Sequence, residues 1–112
     1  MFQPPTPTVD LAGLPADGYL IDVREADEWQ AGHAPEAVHL PLSELTGRVA
    51  EVPQDRDVYV VCKAGGRSAQ AVQYLNQSGR STVNVAGGML AWQAAGRPMV
   101  CEGEGGADPF VA

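Results

Sequence analysis

Basic residues are scarce. Seven Lys and Arg stand against fourteen Asp and Glu, which gives a formal charge of −7 and a pI near 4.5. That balance argues against a nucleic-acid partner, because neutralising phosphates takes clustered cations. It leaves room for a small anionic substrate, since a local cationic loop can oppose the global field. Cysteine is as sparse: Cys62 and Cys101 are too few for a disulfide framework. The opening MFQPPTPTVD lacks the basic region and apolar core of a signal peptide, so no disulfide between the two cysteines is expected. No apolar run reaches the length that spans a bilayer. The expected compartment is the reducing cytoplasm, and the expected state is a monomer.

What is present is ordinary for one soluble domain: 112 residues, 45% hydrophobic and 19% charged. Met1 to Thr8 reads as an extended lead-in, residues 9–100 as one packed unit, and residues 101–112 as a loose acidic, Gly-rich tail. YLIDV (Tyr19 to Val23) and VYVVC (Val58 to Cys62) are continuous apolar runs, the pattern of strands covered on both faces. AVHL (Ala37 to Leu40) and TVNVA (Thr82 to Ala86) are shorter strand candidates. Ser43 is placed to cap a helix with Leu45, Val49 and Val52 on one face, stopped by Pro53. A second helix is predicted from Arg67 or Ser68 to Gly79, burying Ala69, Val72 and Leu75. Shorter helices are expected over Asp27 to Ala31 and Met89 to Ala95. Strands alternating with helices imply an α/β fold with a mainly parallel sheet of four to five strands, flanked by helices on both faces.

Cys62 sits at the carboxyl end of a central strand in VVCKAGGRSA, the place where open α/β sheets bind ligands. The Gly-rich turn that follows runs into a helix, so successive N–H groups and the helix N-terminus can converge on an anion. Gly65 and Gly66 permit backbone conformations that a β-carbon penalises. An ordinary thiol titrates near about 8.5. Lowering it by about 1.5 pH units takes about 2 kcal/mol, within reach of a helix terminus, two cations and several N–H donors. Burial beside Val60 and Val61 pushes the other way. From composition alone, Cys62 is either a reactive nucleophile or a structural cysteine. Four residues separate Cys62 from Arg67, one fewer than in the cysteine phosphatase signature, and the loop holds no acid. That weighs against a phosphatase or arsenate reductase and suits a smaller group on sulfur.

The chain resembles the single-domain rhodanese family of sulfurtransferases over most of Tyr19 to Pro98. LIDVREADEWQAGHAPEAVHLP is similar to the family's first signature, CKAGGRS to its active-site loop and VAGGMLAW to its closing signature. The resemblance implies that Cys62 takes sulfane sulfur from a donor such as thiosulfate and holds it as a persulfide. Cyanide or a thiol then removes it, in a ping-pong cycle. It implies an anion cradle from Lys63, Ala64, Gly65, Gly66 and Arg67, with Ser68 leading into the helix. Lys63 and Arg67 are candidates for attracting the donor, with bracing the loop or pointing to solvent as the alternatives. Asp22 and Arg24 match the D-V-R motif and are read as a supporting pair. A sulfur carrier or interaction module serving a protein thiol is the alternative function. No cofactor and no metal are implied. Ala34 and Glu36 depart from the pattern, where a bulky aliphatic residue and a glycine are more usual.

The remaining motifs read as structural. His33 belongs to the G-H turn, His39 to a short strand facing a helix or solvent, and Trp29 and Trp92 to helical core faces. Trp92 could also back the loop. Gly87 and Gly88 read as a strand-to-helix turn. Cys101 would reach a persulfide only if the tail folded back.

Overall fold

The computed structural model describes residues 6–102 and 108–112. The start of the lead-in and the middle of the tail lie outside the described residues. Five strands are present: β1 (Thr8–Val9), β2 (Tyr19–Asp22), β3 (Val38–His39), β4 (Asp57–Val61) and β5 (Ser81–Val85). Three α-helices accompany them: α1 (Ala26–Ala31), α2 (Gly66–Gln77) and α3 (Gly88–Ala94). All neighbouring strands pair in parallel, in the order β1-β5-β4-β2-β3. The two outer strands have only two residues each, which limits the unpaired edge.

The alternation of strand side chains sorts the core into two layers. Val58, Val60 and Cys62 pack on one face with Ala71, Val72 and Leu75 of α2. Leu20, Val61 and Val85 pack on the other with Met89 and Trp92 of α3. Helices therefore cover both faces, as the apolar runs required. The connection β2-α1-β3 runs towards one edge, and β4-α2-β5 runs towards the other. Because β2 and β4 are neighbours, the winding reverses between them, and the crevice beyond their carboxyl ends is where such a sheet binds ligands.

Several local expectations are corrected. The segment after Leu40 is not an α-helix but two 3-10 stretches, Leu42–Gly47 and Val49–Glu51. Gly47 and β-branched residues weaken α propensity there, and the closing bonds run i to i+3 (Arg48 N–H to the Leu45 carbonyl, Val52 N–H to Val49). Leu45 and Val52 are still buried, so the spacing identified the inward face though not the helix type. The Ser43 hydroxyl donates to Glu25 at 2.8 Å instead of capping. In α2 it is Ala71, not Ala69, that joins Val72 and Leu75 inside.

Described residues near the C-terminus make backbone contacts with the α1 region. Val100 bridges antiparallel to His33, Glu102 N–H donates to Gln30, and Phe110 N–H donates to Ala31. The Phe110 backbone leaves no room for a β-carbon at Gly32. No disulfide joins Cys62 to Cys101. Among the described residues, no helix is long and apolar enough to cross a membrane.

Candidate active site

Cys62 follows the last residue of β4 and is 1% exposed. Its Sγ accepts the Gly65 N–H at 3.0 Å and lies 3.2 Å from the Ser68 hydroxyl. Gly65 makes this possible with φ of 114°, a left-handed conformation that a β-carbon disfavours. Helix α2 has no side-chain cap at its N-terminus. The Cys62 sulfur takes that place among the helix's unpaired N–H groups. Burial pushes the thiol up, but the Ser68 hydroxyl and the Ser68, Gly65 and Ala64 N–H groups outweigh it and hold Cys62 below its ordinary value. The loop's N–H groups and the Ser68 hydroxyl thus favour a thiolate.

The two cations of the loop part company. Arg67 forms a bidentate pair with Glu28 of α1, at 2.6 Å and 2.8 Å. This favours its bracing role over attraction of a donor, because its charge is already met. The bond to Arg67 holds the Glu28 carboxyl down at about 2, against burial, and raises Arg67 in turn. Lys63 is half-buried and forms no ion pair among the described residues. The Lys63 carbonyl, with that of Cys62, turns away from the sulfur and accepts N–H groups of α3: Leu90 at 3.1 Å and Met89 at 2.8 Å. A β-carbon on Gly88 would collide with both carbonyls. The Gly87–Gly88 turn therefore clamps the loop as well as starting a helix.

Asp22 and Arg24 are fully buried and paired at 2.8 Å. Arg24 also donates to the Gly32 carbonyl at the end of α1, and its own carbonyl meets the His39 ring at 2.8 Å. Breaking a buried pair by removing one partner costs on the order of 3–5 kcal/mol, well above a surface pair, so these residues hold the loops around the site. Arg24 Nη1 has no partner among the described residues. His33 lies in the G-H turn with its ring nitrogens on Ala34 and Glu102. Trp29 is not in the core: it is half-buried, stacked on His33 and His39. Trp92 does belong to the core, opposite the layer that contains Cys62.

A cavity of about 290 Å³ opens elsewhere, lined by Leu20, Ala34, Glu36, Trp92 and Arg97 among others. None of residues 62–68 reaches it. The two departures from the family pattern thus fall on this cavity, away from the sulfur. Among the described residues, no group of three or more His, Cys, Asp or Glu is arranged to hold a metal ion.

Sequence reasoning missed Glu28, Asn84 and the α3 N–H groups. Glu28 carried a faint signal as the acid three residues after Glu25, whose N–H it accepts at 3.1 Å. Its ionic partner, however, is 39 residues away. Asn84 carried a clearer one, since Asn is disfavoured in a strand that is otherwise buried.

Comparison with known proteins agrees with this geometry. The family model described as "Rhodanese-like domain" matches residues 9–95. A protein named "Sulfurtransferase" from Allochromatium vinosum is 42% identical over 85 residues, 75% of this chain and 79% of its own. YrkF of Bacillus subtilis, provisionally designated a sulfur carrier protein, is 35% identical over 74 residues, 65% of this chain and 40% of its own. The crystal structure of a rhodanese-related protein from Thermoplasma volcanium superposes with a TM-score of 0.79 at 33% identity, covering 84% of this chain and 97% of that one. The chain belongs to the rhodanese family, and sulfurtransferase chemistry is supported for it at the level of that family.

Proposed function

We propose that this protein moves sulfane sulfur from a small anionic donor such as thiosulfate, through a persulfide on Cys62, to a thiophilic acceptor. The observation that carries this reading is the Cys62 sulfur itself, capping α2 and receiving the Gly65 N–H at 3.0 Å. The Cys62 thiolate attacks the outer sulfur of thiosulfate. The S–S bond of the donor breaks, and sulfite leaves with the bonding pair. Cyanide or a thiolate then attacks the outer sulfur of the persulfide and returns Cys62 as thiolate, so no external oxidant or reductant enters. The N–H groups of the loop hold the negative charge in both states. Lys63 serves as the cation that draws the donor in, and Arg67 keeps the loop in shape through Glu28. No cofactor takes part.

A second reading, sulfur carriage to a protein thiol, is favoured by the likeness to YrkF. It shares the first half-reaction and differs in the acceptor. Intact-mass analysis after incubation with thiosulfate tests the shared step. The expected result is a gain of one sulfur atom, removed by cyanide and absent in Cys62→Ser, with slower uptake in Lys63→Ala. Failure of the wild type to gain sulfur from any sulfane donor would end both readings. Discharge to a protein thiol but not to cyanide or small thiols would select the carrier.

A further inference from the structure

Asn84 stands out on β5. The strand turns two buried polar residues, Thr82 and Asn84, towards α2, and a buried polar group is costly unless it is bonded. Thr82 is accounted for, since Asn76 Oδ1 accepts its hydroxyl at 2.7 Å and its N–H at 2.8 Å. The Asn84 amide meets the Ser68 hydroxyl at 2.5 Å and, more distantly, the Gly65 carbonyl at 3.4 Å. That carbonyl already accepts the Ala69 N–H at 3.2 Å. The one short contact of Asn84 is therefore Ser68.

A serine hydroxyl has a single proton to give. Ser68 faces two acceptors, Asn84 Oδ1 at 2.5 Å and Cys62 Sγ at 3.2 Å, and both draw on that one proton. The Gly65 carbonyl can only accept, so it keeps the amide Nδ2 on its side and Oδ1 towards Ser68. Shared with Asn84, that proton gives a thiolate on Cys62 less support than the hydroxyl could supply alone. We propose that Asn84 is a positioning residue that restrains the ionisation of Cys62 by drawing the Ser68 proton away from the sulfur. The backbone N–H groups act on the sulfur in either case; the hydroxyl is the part Asn84 controls. Turning the amide over would present Nδ2 to Ser68 and release the hydroxyl to the sulfur. Charge on Cys62 and the orientation of Asn84 are thereby linked.

The inference rests on Cys62 as the reacting thiol, but its test reads ionisation rather than sulfur transfer, so the two can fail separately. The pH dependence of iodoacetamide alkylation is followed at Cys62 by peptide mass in the wild type, Asn84→Leu, Ser68→Ala and the double variant. Asn84→Leu is expected to lower the midpoint by roughly half to one pH unit and to speed alkylation below it about threefold to tenfold. Ser68→Ala should raise the midpoint, and adding Asn84→Leu to it should change nothing further. An unmoved or raised midpoint in a folded Asn84→Leu, or the same fall without Ser68, overturns the proposal. Asn84→Val, a better strand former, should shift the midpoint the same way. A measurement that needs no change at Asn84 is the side-chain amide NMR signal of the wild type. It should titrate with the Cys62 midpoint and stop doing so in Ser68→Ala, and a signal that ignores the sulfur rejects the link.

Discussion

Two turns in this molecule look alike on paper. After β4 the chain passes through Gly65 and Gly66 into α2, and after β5 it passes through Gly87 and Gly88 into α3. Both use left-handed glycines, with φ of 114° at Gly65, 77° at Gly87 and 55° at Gly88, and neither helix has a side-chain cap. They differ in where the unpaired N–H groups go. In the first turn they meet the Cys62 sulfur, a side-chain group whose negative charge they favour. In the second, Met89 and Leu90 meet the Cys62 and Lys63 carbonyls, neutral groups of the backbone. The same local device thus meets an ionisable sulfur once and holds the backbone beside that sulfur the second time. The second turn braces the first, because the carbonyls it holds belong to the loop around Cys62.

The comparison can be broken hardest at Gly88. An alanine there would be forced into the left-handed region and would put a β-carbon into the Cys62 and Lys63 carbonyls. A loss on the order of 3 kcal/mol is expected, roughly 10–20 °C in Tm, together with loss of sulfur uptake. A melt within a few degrees of wild type would show that the clamp is unnecessary.

A smaller effect is expected at Glu28, the brace that only the first turn possesses. Glu28→Gln should cost about 1 kcal/mol at neutral pH, as for a partly exposed bidentate pair. The sign with pH follows from the folded carboxyl lying at about 2, below its ordinary 4.5. The contribution is complete above the ordinary value and is lost as pH falls through the folded one. Thermal melts of wild type and Glu28→Gln should therefore differ at pH 7 and converge near pH 2. A gap of equal size at both would mean that the carboxylate charge is not what matters.

The smallest effect has the opposite sign. Gly66 is in helical conformation with open space at its β-carbon, so Gly66→Ala is expected to stabilise by about 0.5–1 kcal/mol. Differential scanning calorimetry would register a rise of a few degrees, and a fall would mean that loop closure needs glycine at both positions.

The strands and helices that carry the site were legible because each has a short-range signature. Val58 to Cys62 shows a continuous apolar run, and residues 66–77 show helical spacing after a glycine pair. The segment from Leu42 to Glu51 misled, since an apolar residue every three or four positions is compatible with either a 3-10 or an α-helix. The backbone contacts of the tail were not legible, for a different reason. Its glycines and acids lack periodicity, yet Glu102 and Phe110 find backbone partners near α1 that no local pattern announces.

The sequence by itself determined an α/β order of elements and put Cys62 at the end of a buried strand, before a glycine turn and a helix. Those follow from side-chain periodicity and from the conformations glycine alone adopts freely, both properties of neighbouring residues. Only the tertiary structure decided which charges and protons face the sulfur. It sent Arg67 to Glu28, left Lys63 without an ion pair among the described residues, and put Ser68 between Cys62 and Asn84. Hydrogen bonds and ion pairs act over a few ångströms of space, and the fold, not the spacing along the chain, brings those groups within that distance.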